Sequence, residues 1–389
     1  MESVNEGSME SVNEASPEEL DGKELELFTT NLRFDALFTS PPEVPDWERF
    51  VKFAINLDNG CRVPEKFKWN DLKMFTNNFS EKNFIDWTQF CKVYRGRTLQ
   101  GQEVTVKIWV PQDVYTTVGR ENVVRLQQEV IFLSRIRDHP YLVKLIGYCC
   151  DDDDDDHIGV VYDLNSVDTL HKLIKQDSFT WQTRLNVALK FASVIEFLHS
   201  YEPKYFVCNI DAAHVMLDQD SNPVLFDFAM LVGGIFGYTP PDISCKRRPL
   251  CGSFGYIDPQ YFDTGIYTEW TDVFAFGVVL LMLISKRVWD RDSSIAAWQA
   301  TMQGKDRGRT VQQWALEKYS QLRKRFWCKT SLVHKSLKRD PGFDASRGVN
   351  VTELAIRCVQ KKRYGPWPPP PKIAEVVSIL RLWAVADAS

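Results

Sequence analysis

Polar side chains that could do chemistry are concentrated in residues 205–230. Asn209, Asp211 and His214 lie in a polar turn between two short apolar segments, and Asp227 closes the stretch. Magnesium prefers oxygen ligands, so Asp227 is a candidate metal ligand, whereas the imidazole of His214 is a poor one. An amide cannot accept a proton, so Asn209 cannot act as a general base. The stretch therefore contains one candidate metal ligand and an amide that cannot accept a proton.

The same stretch resembles the catalytic loop and the magnesium-binding loop of eukaryotic protein kinases, which carry H-R-D-L-x-x-x-N and D-F-G. The match is anchored on Val215–Asp218 and Asp227, and it places Asn209 at the position of the catalytic base. Asp211 then stands where kinases have a phosphate-contacting lysine, and His214 where they have the second metal-binding asparagine. The resemblance implies a kinase fold that has lost its general base, which contributes about 10²–10⁴-fold in rate.

The segment IDWTQFCKVYRG, residues 85–96, stands where kinases carry the glycine-rich loop G-x-G-x-x-G-x-V. Its glycine positions hold Asp86, Thr88 and Cys91. Bare backbone approaches the phosphates in active kinases, so side chains here block that approach, and the Asp86 carboxylate repels a triphosphate. Val93 keeps the position that would cover an adenine. We expect a hairpin that survives as structure only.

The segment GQEVTVKIW predicts a strand of period 2, and its Lys107 stands at the position of the strand-three lysine of kinases. A helix is predicted from about residue 121 to 137, and Glu129 falls where kinases place the partner of that lysine. Tyr162 falls at the position that gates the back of the nucleotide pocket. The Lys107–Glu129 pair either orients the lysine on phosphates or braces the small lobe. The degraded loops around it favour bracing.

Composition places the chain among soluble globular proteins. It has 389 residues, with 44% hydrophobic and 25% charged residues and a net charge of −5. This charge gives no reason to expect nucleic-acid binding. No apolar run reaches the length of about 18 residues that a membrane-spanning helix needs. Nine cysteines without paired metal-type spacing suit a reducing cytosol. We therefore expect a cytoplasmic protein without a transmembrane segment, and the kinase resemblance implies that partners recruit it to the plasma membrane.

The sequence predicts an acidic disordered leader at 1–40 with a tandem MESVNE repeat, followed by a pre-kinase extension at 41–80. A kinase-like N-lobe is predicted at 81–163 and a C-lobe at 164–385. Within the C-lobe, TDVFAFGVVLLMLIS is apolar on nearly all sides and predicts a buried central helix. Asp272, near its start, is expected to hold the catalytic-loop backbone through hydrogen bonds.

The chain is similar to plant receptor-like cytoplasmic kinases in a degenerate, pseudokinase form. This resemblance implies an α+β, bilobal fold with a small β-rich N-lobe, one regulatory helix and a larger helical C-lobe. It implies an inactive scaffold in membrane-proximal signalling, of the immune or receptor kind, that binds kinases, receptor kinases or immune receptors. It implies no required cofactor and at most weak binding of ATP with magnesium. The alternative is an atypical, low-activity serine/threonine kinase that uses Lys107 and Asp227 with a displaced base.

Overall fold

The computed structural model describes residues 63–88, 91–110, 118–151, 154–236, 252–253, 255–288, 310–326, 330–360 and 370–384. The predicted leader at 1–40 lies outside these residues, as does most of the pre-kinase extension. Within the described ranges, no helix is long and apolar enough to span a bilayer.

A mixed sheet forms the small lobe. In the described residues it has six strands, and their spatial order is β1-β5-β6-β4-β3-β2. The strands are β1 (Glu65–Phe67), β2 (Phe84–Trp87), β3 (Cys91–Arg97), β4 (Glu103–Trp109), β5 (Leu145–Asp151) and β6 (Asp154–Tyr162). Strand β4 is buried along nearly its whole length, and its side chains alternate between the two faces of the sheet. Helices cover both faces of the sheet. The outer face of β4 is apolar, and its inner face carries Lys107.

Helix α1 (Trp69–Phe75) covers the outer face. It buries Leu72 and Phe75 against the even-numbered side chains of β4. Strand β1, just before it, pairs in parallel with β5. The strands meet closely at Gly147, where an added Cβ would lie 2.2 Å from the carbonyl oxygen of Glu65. The described end of the pre-kinase extension therefore packs as part of the small lobe.

Helix α2 (Val118–Arg135) covers the inner face of the sheet. It begins slightly earlier and ends slightly earlier than the helix predicted from the sequence. Val130, Ile131 and Phe132 are buried beside Glu129, which is itself buried. The apolar spacing of the helix thus turns Glu129 towards the odd-numbered residues of β4, where Lys107 lies.

The large lobe is helical. Its helices within the described ranges are α3 (Leu170–Leu173), α4 (Trp181–His199), α5 (Pro259–Thr264), α6 (Glu269–Ser285), α7 (Val311–Phe326), α8 (Ala345–Val359) and α9 (Ile373–Ala384). Helix α6 is buried from Thr271 to Ser285, which confirms the predicted central helix. It packs against α4, α7 and α8. The contact with α8 is close, because a Cβ on Gly277 would lie 2.4 Å from that of Cys358.

Short strands between the lobes position the polar turn. They are β7 (Ser166–Thr169), β8 (Tyr205–Phe206), β9 (Val215–Asp218), β10 (Pro223–Leu225) and β11 (Val232–Gly233). Strand β9 pairs antiparallel with β7 on one side and with β10 on the other. Strand β8 pairs with β11. The turn therefore starts at β8 and ends at β9, and Asp227 follows β10 directly.

Candidate functional site

A buried charge cluster lies between the sheet, helix α2 and the segment after β10. Lys107 donates hydrogen bonds to Oε2 of Glu129 and, over 3.0 Å, to Oδ1 of Asp227. The hydroxyl of Tyr162 donates to the other oxygen, Oε1, of Glu129. The side chains of Lys107 and Glu129 have no solvent exposure, and that of Asp227 has 3%. One ammonium thus serves two carboxylates in the absence of bulk water.

The sharing of one cation sets the pKa values of the cluster. Burial alone would lower the pKa of Lys107, but the charges of Asp227 and Glu129 outweigh it and hold that pKa above its ordinary value. Burial likewise raises the pKa of Asp227, yet Lys107 and His214 together outweigh burial and keep it below the usual range. At Glu129 burial prevails, and the pKa is raised. Asp227 is therefore the better-stabilised anion of the two.

Trp109 and Cys91 close the cluster on the small-lobe side, and sequence reasoning did not assign Trp109 to it. The Nζ atom of Lys107 lies 4.4 Å from the centroid of the Trp109 ring. Cys91 pairs with Trp109 across β3 and β4, and burial raises the pKa of its thiol above the ordinary value. The period of a strand puts residues 107 and 109 on one face, so this signal was available in the sequence.

The glycine positions of the nucleotide loop carry side chains with structural contacts. Cys91 and Thr88 are buried, and Val93 has no exposure. Asp86 is half-buried, and its Oδ2 accepts a hydrogen bond of 2.7 Å from the hydroxyl of Thr169. The sequence indicated only charge repulsion for Asp86, and the structure adds a bond that links β2 to the large lobe.

The side chains of the polar turn make hydrogen bonds to neighbouring residues. Nδ1 of His214 lies 2.7 Å from the carbonyl oxygen of Asn209, and the amide oxygen of Asn209 accepts from Ser253 over 3.2 Å. Asp211 accepts the backbone N–H of Ala213 over 2.8 Å and caps a short 3₁₀ turn. Within the described residues, Nε2 of the buried His214 makes no hydrogen bond and lies 3.7 Å from Oδ2 of Asp227.

Asp272 holds the start of this turn, as the sequence predicted. Its carboxylate accepts the backbone N–H groups of Val207 at 3.0 Å and Cys208 at 3.2 Å. It also contacts Nε2 of His199 at 2.9 Å and accepts the hydroxyl of Tyr267. Cys208 has a φ of 61°, a left-handed conformation that costs a side-chain-bearing residue about 1 kcal/mol or more. The four contacts of Asp272 offset that cost.

Asp227 also has a left-handed backbone, with a φ of 71°. The next residue, Phe228, is fully buried and packs against Phe132 of α2 with ring centroids 4.8 Å apart. This packing leaves the Asp227 carboxylate beside Lys107. The structure thus brings together Lys107, Glu129, Asp227 and Tyr162, with His214 next to Asp227.

Comparison with known proteins identifies this arrangement. The profile of a family described as "Protein tyrosine and serine/threonine kinase" matches residues 80–322, more than half of the chain. The chain belongs to this protein kinase family. Among plant relatives, the serine/threonine-protein kinase CDG1 of Arabidopsis thaliana is 30% identical over 82% of this chain and 68% of its own length. An EPD1-interacting receptor-like cytoplasmic serine/threonine-protein kinase, 5A, of Gossypium barbadense is 32% identical over 62% of this chain and 53% of its own.

Solved structures agree on the fold. The pseudokinase domain of BIR2, described as an immune regulator of the RLK/Pelle family, superposes with a TM-score of 0.55 at 22% identity, over 82% of this chain and 87% of that one. The α+β two-lobed kinase fold is therefore confirmed, as is the similarity to plant receptor-like cytoplasmic kinases. The chain spans about half the length of the first curated relatives it matches, at 50% and 53%.

Active members of the family bind ATP with magnesium at this place, and the residues here do not fit that ligand. Lys107 is already bonded to two carboxylates and covered by Trp109. An imidazole nitrogen stands at one metal position, although magnesium binds through oxygen. An adenine would need an open gap beneath Val93, yet Val93 has no exposure. No catalytic step through a bound nucleotide follows from this geometry.

Proposed function

We propose that this kinase-family chain is a catalytically inactive scaffold in plant signalling that binds other kinases or receptors. The observation that carries the proposal is the closed charge cluster. In an active kinase Lys107 and Asp227 would hold phosphate and metal, and here they hold each other. A phosphate or metal that bound to Lys107 or Asp227 would first have to separate this buried ion pair, and that cost opposes binding.

The polar turn supports inactivity independently. The base position is an amide whose oxygen accepts from Ser253, so it neither takes a proton nor points freely at a substrate. Asp211 puts a negative charge where a lysine would stabilise the transferred phosphoryl group. Its carboxylate caps the local turn through Ala213. The side chains at these two positions therefore make hydrogen bonds within the protein, to Ser253 and Ala213, and are not placed for phosphate transfer.

The names of similar proteins support the signalling role. One relative is described as EPD1-interacting, and a structural neighbour as an immune regulator. By analogy we propose protein partners, a cytoplasmic location and recruitment to the plasma membrane through those partners. Function would then depend on the surface of the lobes, with at most weak binding of nucleotide.

The assembly of Lys107, Glu129 and Asp227 favours one other candidate, an atypical serine/threonine kinase of low activity. These are the residues such an enzyme would use to hold the phosphates and a metal. It would also need a base from outside the Asn209 position, since an amide does not supply one. The same experiment separates the two candidates.

The experiment measures unfolding temperature and phosphate transfer on the same purified chain. ATP with magnesium at about 100 times its Kd would stabilise a binding protein by about 2.7 kcal/mol. We expect no shift in the melting temperature and no radiolabelled phosphate on the chain or on a generic peptide. An active relative, expressed alongside, shows that the assay works. Transfer that stops in Asp227→Ala would refute the scaffold and establish the enzyme.

A further inference from the structure

Side-chain bonds tie the nucleotide-loop strand to the large lobe. Asp86, on β2, accepts the hydroxyl of Thr169 over 2.7 Å across 83 residues of sequence. Thr169 is fully buried at the junction of β7 and α3. Its hydroxyl makes no capping bond to α3, so the bond to Asp86 is not a by-product of helix capping.

Lys172 and Arg95 add bonds across the same gap. Lys172, on α3, donates to the carbonyl oxygen of Ile85, and its Nζ lies 5.7 Å from the ring of Phe84. Arg95, on β3, donates to the carbonyl oxygens of Ser166 and Val167 on β7. All the donors and acceptors named here lie on strands β2 and β3 or on the segment 166–172. The contacts therefore all join the hairpin of β2 and β3 to the segment 166–172.

The large-lobe side of these contacts belongs to a second, three-stranded sheet. Strand β7 pairs with β9, and Thr169 stands opposite Met216 in that pairing. Strand β9 leads out of the polar turn, so β7 lies between the floor of the cleft and the nucleotide-loop strand. On β3, Cys91 is 1% exposed and Val93 has no exposure.

We propose that Asp86, Arg95, Thr169 and Lys172 form an interlobe latch that holds the cleft shut. Asp86 stands where kinases have a glycine of the nucleotide loop. Its side chain then supplies a structural contact and blocks the approach of backbone to a phosphate. The latch bonds connect separate strands, so they resist hinge opening directly. Opening exposes Cys91 to solvent, and release of the latch is the step that limits its exposure. This behaviour concerns access to the cleft and is independent of whether the chain transfers phosphate.

The rate of Cys91 alkylation tests the latch on the full chain without any nucleotide. A buried thiol reacts only from open states, so the labelling rate follows the equilibrium for opening when reclosing is fast. Iodoacetamide labelling followed by peptide mass spectrometry reads Cys91 and Cys358 separately. Cys358 lies on α8, buried against Gly277 of α6, on an element that carries no latch residue, and it reports global unfolding.

Two variants and one matched control define the result. Thr169→Val removes the hydroxyl in a side chain of similar shape, and Asp86→Ala removes the acceptor. Each should raise Cys91 labelling about tenfold or more, the scale of one hydrogen bond to a charged group. Thr169→Ser keeps the hydroxyl and should stay close to the parent. The double variant should exceed neither single variant by much, because both remove the same bond.

Either of two results would overturn the latch. Unchanged Cys91 labelling in Thr169→Val and Asp86→Ala would mean that other contacts keep the cleft closed. A parallel rise at Cys91 and Cys358 would mean that the bond supports overall stability and does not control the cleft. A rise at Cys91 alone in Thr169→Val and Asp86→Ala, with labelling of Thr169→Ser close to that of the parent, supports it. Phosphate transfer by the parent chain would refute the scaffold proposal and leave this result intact.

Discussion

Replacing Lys107 by methionine should destabilise the folded chain strongly. Methionine keeps most of the stem and removes the ammonium that bonds Glu129 and Asp227. Both carboxylates would remain in a place with 0% and 3% side-chain exposure. Removing one partner from a buried ion pair costs about 3–5 kcal/mol. Domains are stable by about 5–15 kcal/mol, so this single change should remove a large fraction of the total.

The loss should depend on pH in a defined direction. Because the pKa of Asp227 is lower in the folded parent than in the unfolded chain, its carboxylate stabilises the folded parent at pH values above the unfolded pKa. This stability is lost as the pH falls through the pKa that Asp227 has in the folded state. In the variant that contribution is gone. The pKa of Glu129, already raised by burial, rises further without Lys107, so protonation relieves the variant as pH falls. The difference between parent and variant should therefore shrink from about pH 8 to about pH 5.

Urea denaturation followed by tryptophan fluorescence gives the free energies. Arg97→Met is the matched control, since Arg97 and its partner Glu103 are 67% and 40% exposed and should contribute at most about 1 kcal/mol. Lys107→Met combined with Glu129→Gln should recover part of the loss, because the amide is neutral. A loss for Lys107→Met no larger than that for Arg97→Met would refute the reasoning. It would show that water reaches the carboxylates and that the cleft is open.

Three further changes test the framework around the site. Asp272→Asn places an amide N–H against backbone donors such as the N–H of Cys208. Each backbone N–H that loses its acceptor should lower the free energy of unfolding by about 1–3 kcal/mol, and circular dichroism should show a lower melting temperature. Arg184→Met leaves four carbonyl oxygens, three of them in buried hydrogen bonds, without their guanidinium donor and should lower the urea midpoint, with Arg184→Lys intermediate because lysine lacks the planar fork. Gly147→Ala drives a Cβ into the carbonyl of Glu65, so limited proteolysis near residues 63–67 should speed up while the large lobe stays protected. An unchanged melting temperature, urea midpoint or cleavage rate would contradict the respective prediction.

Local pattern was enough to predict the framework. The apolar run of α6 predicted a helix buried on all sides, and the structure buries it from Thr271 to Ser285. The strand alternation of β4 likewise put Lys107 on one face and its apolar neighbours on the other. Such features depend on residues close together in the chain, which is why period and spacing reveal them.

The sequence by itself determined which side chains stand at each kinase position, and therefore that Asn209 cannot accept a proton and that three glycines are missing. Only the tertiary structure decided what those side chains do instead. The bond from Asp86 to Thr169 joins residues 83 positions apart, and the bond from Lys107 to Asp227 joins residues 120 apart. No local pattern encodes such pairs. Whether a charge is exposed, or buried and shared, depends on which strands and helices close around it.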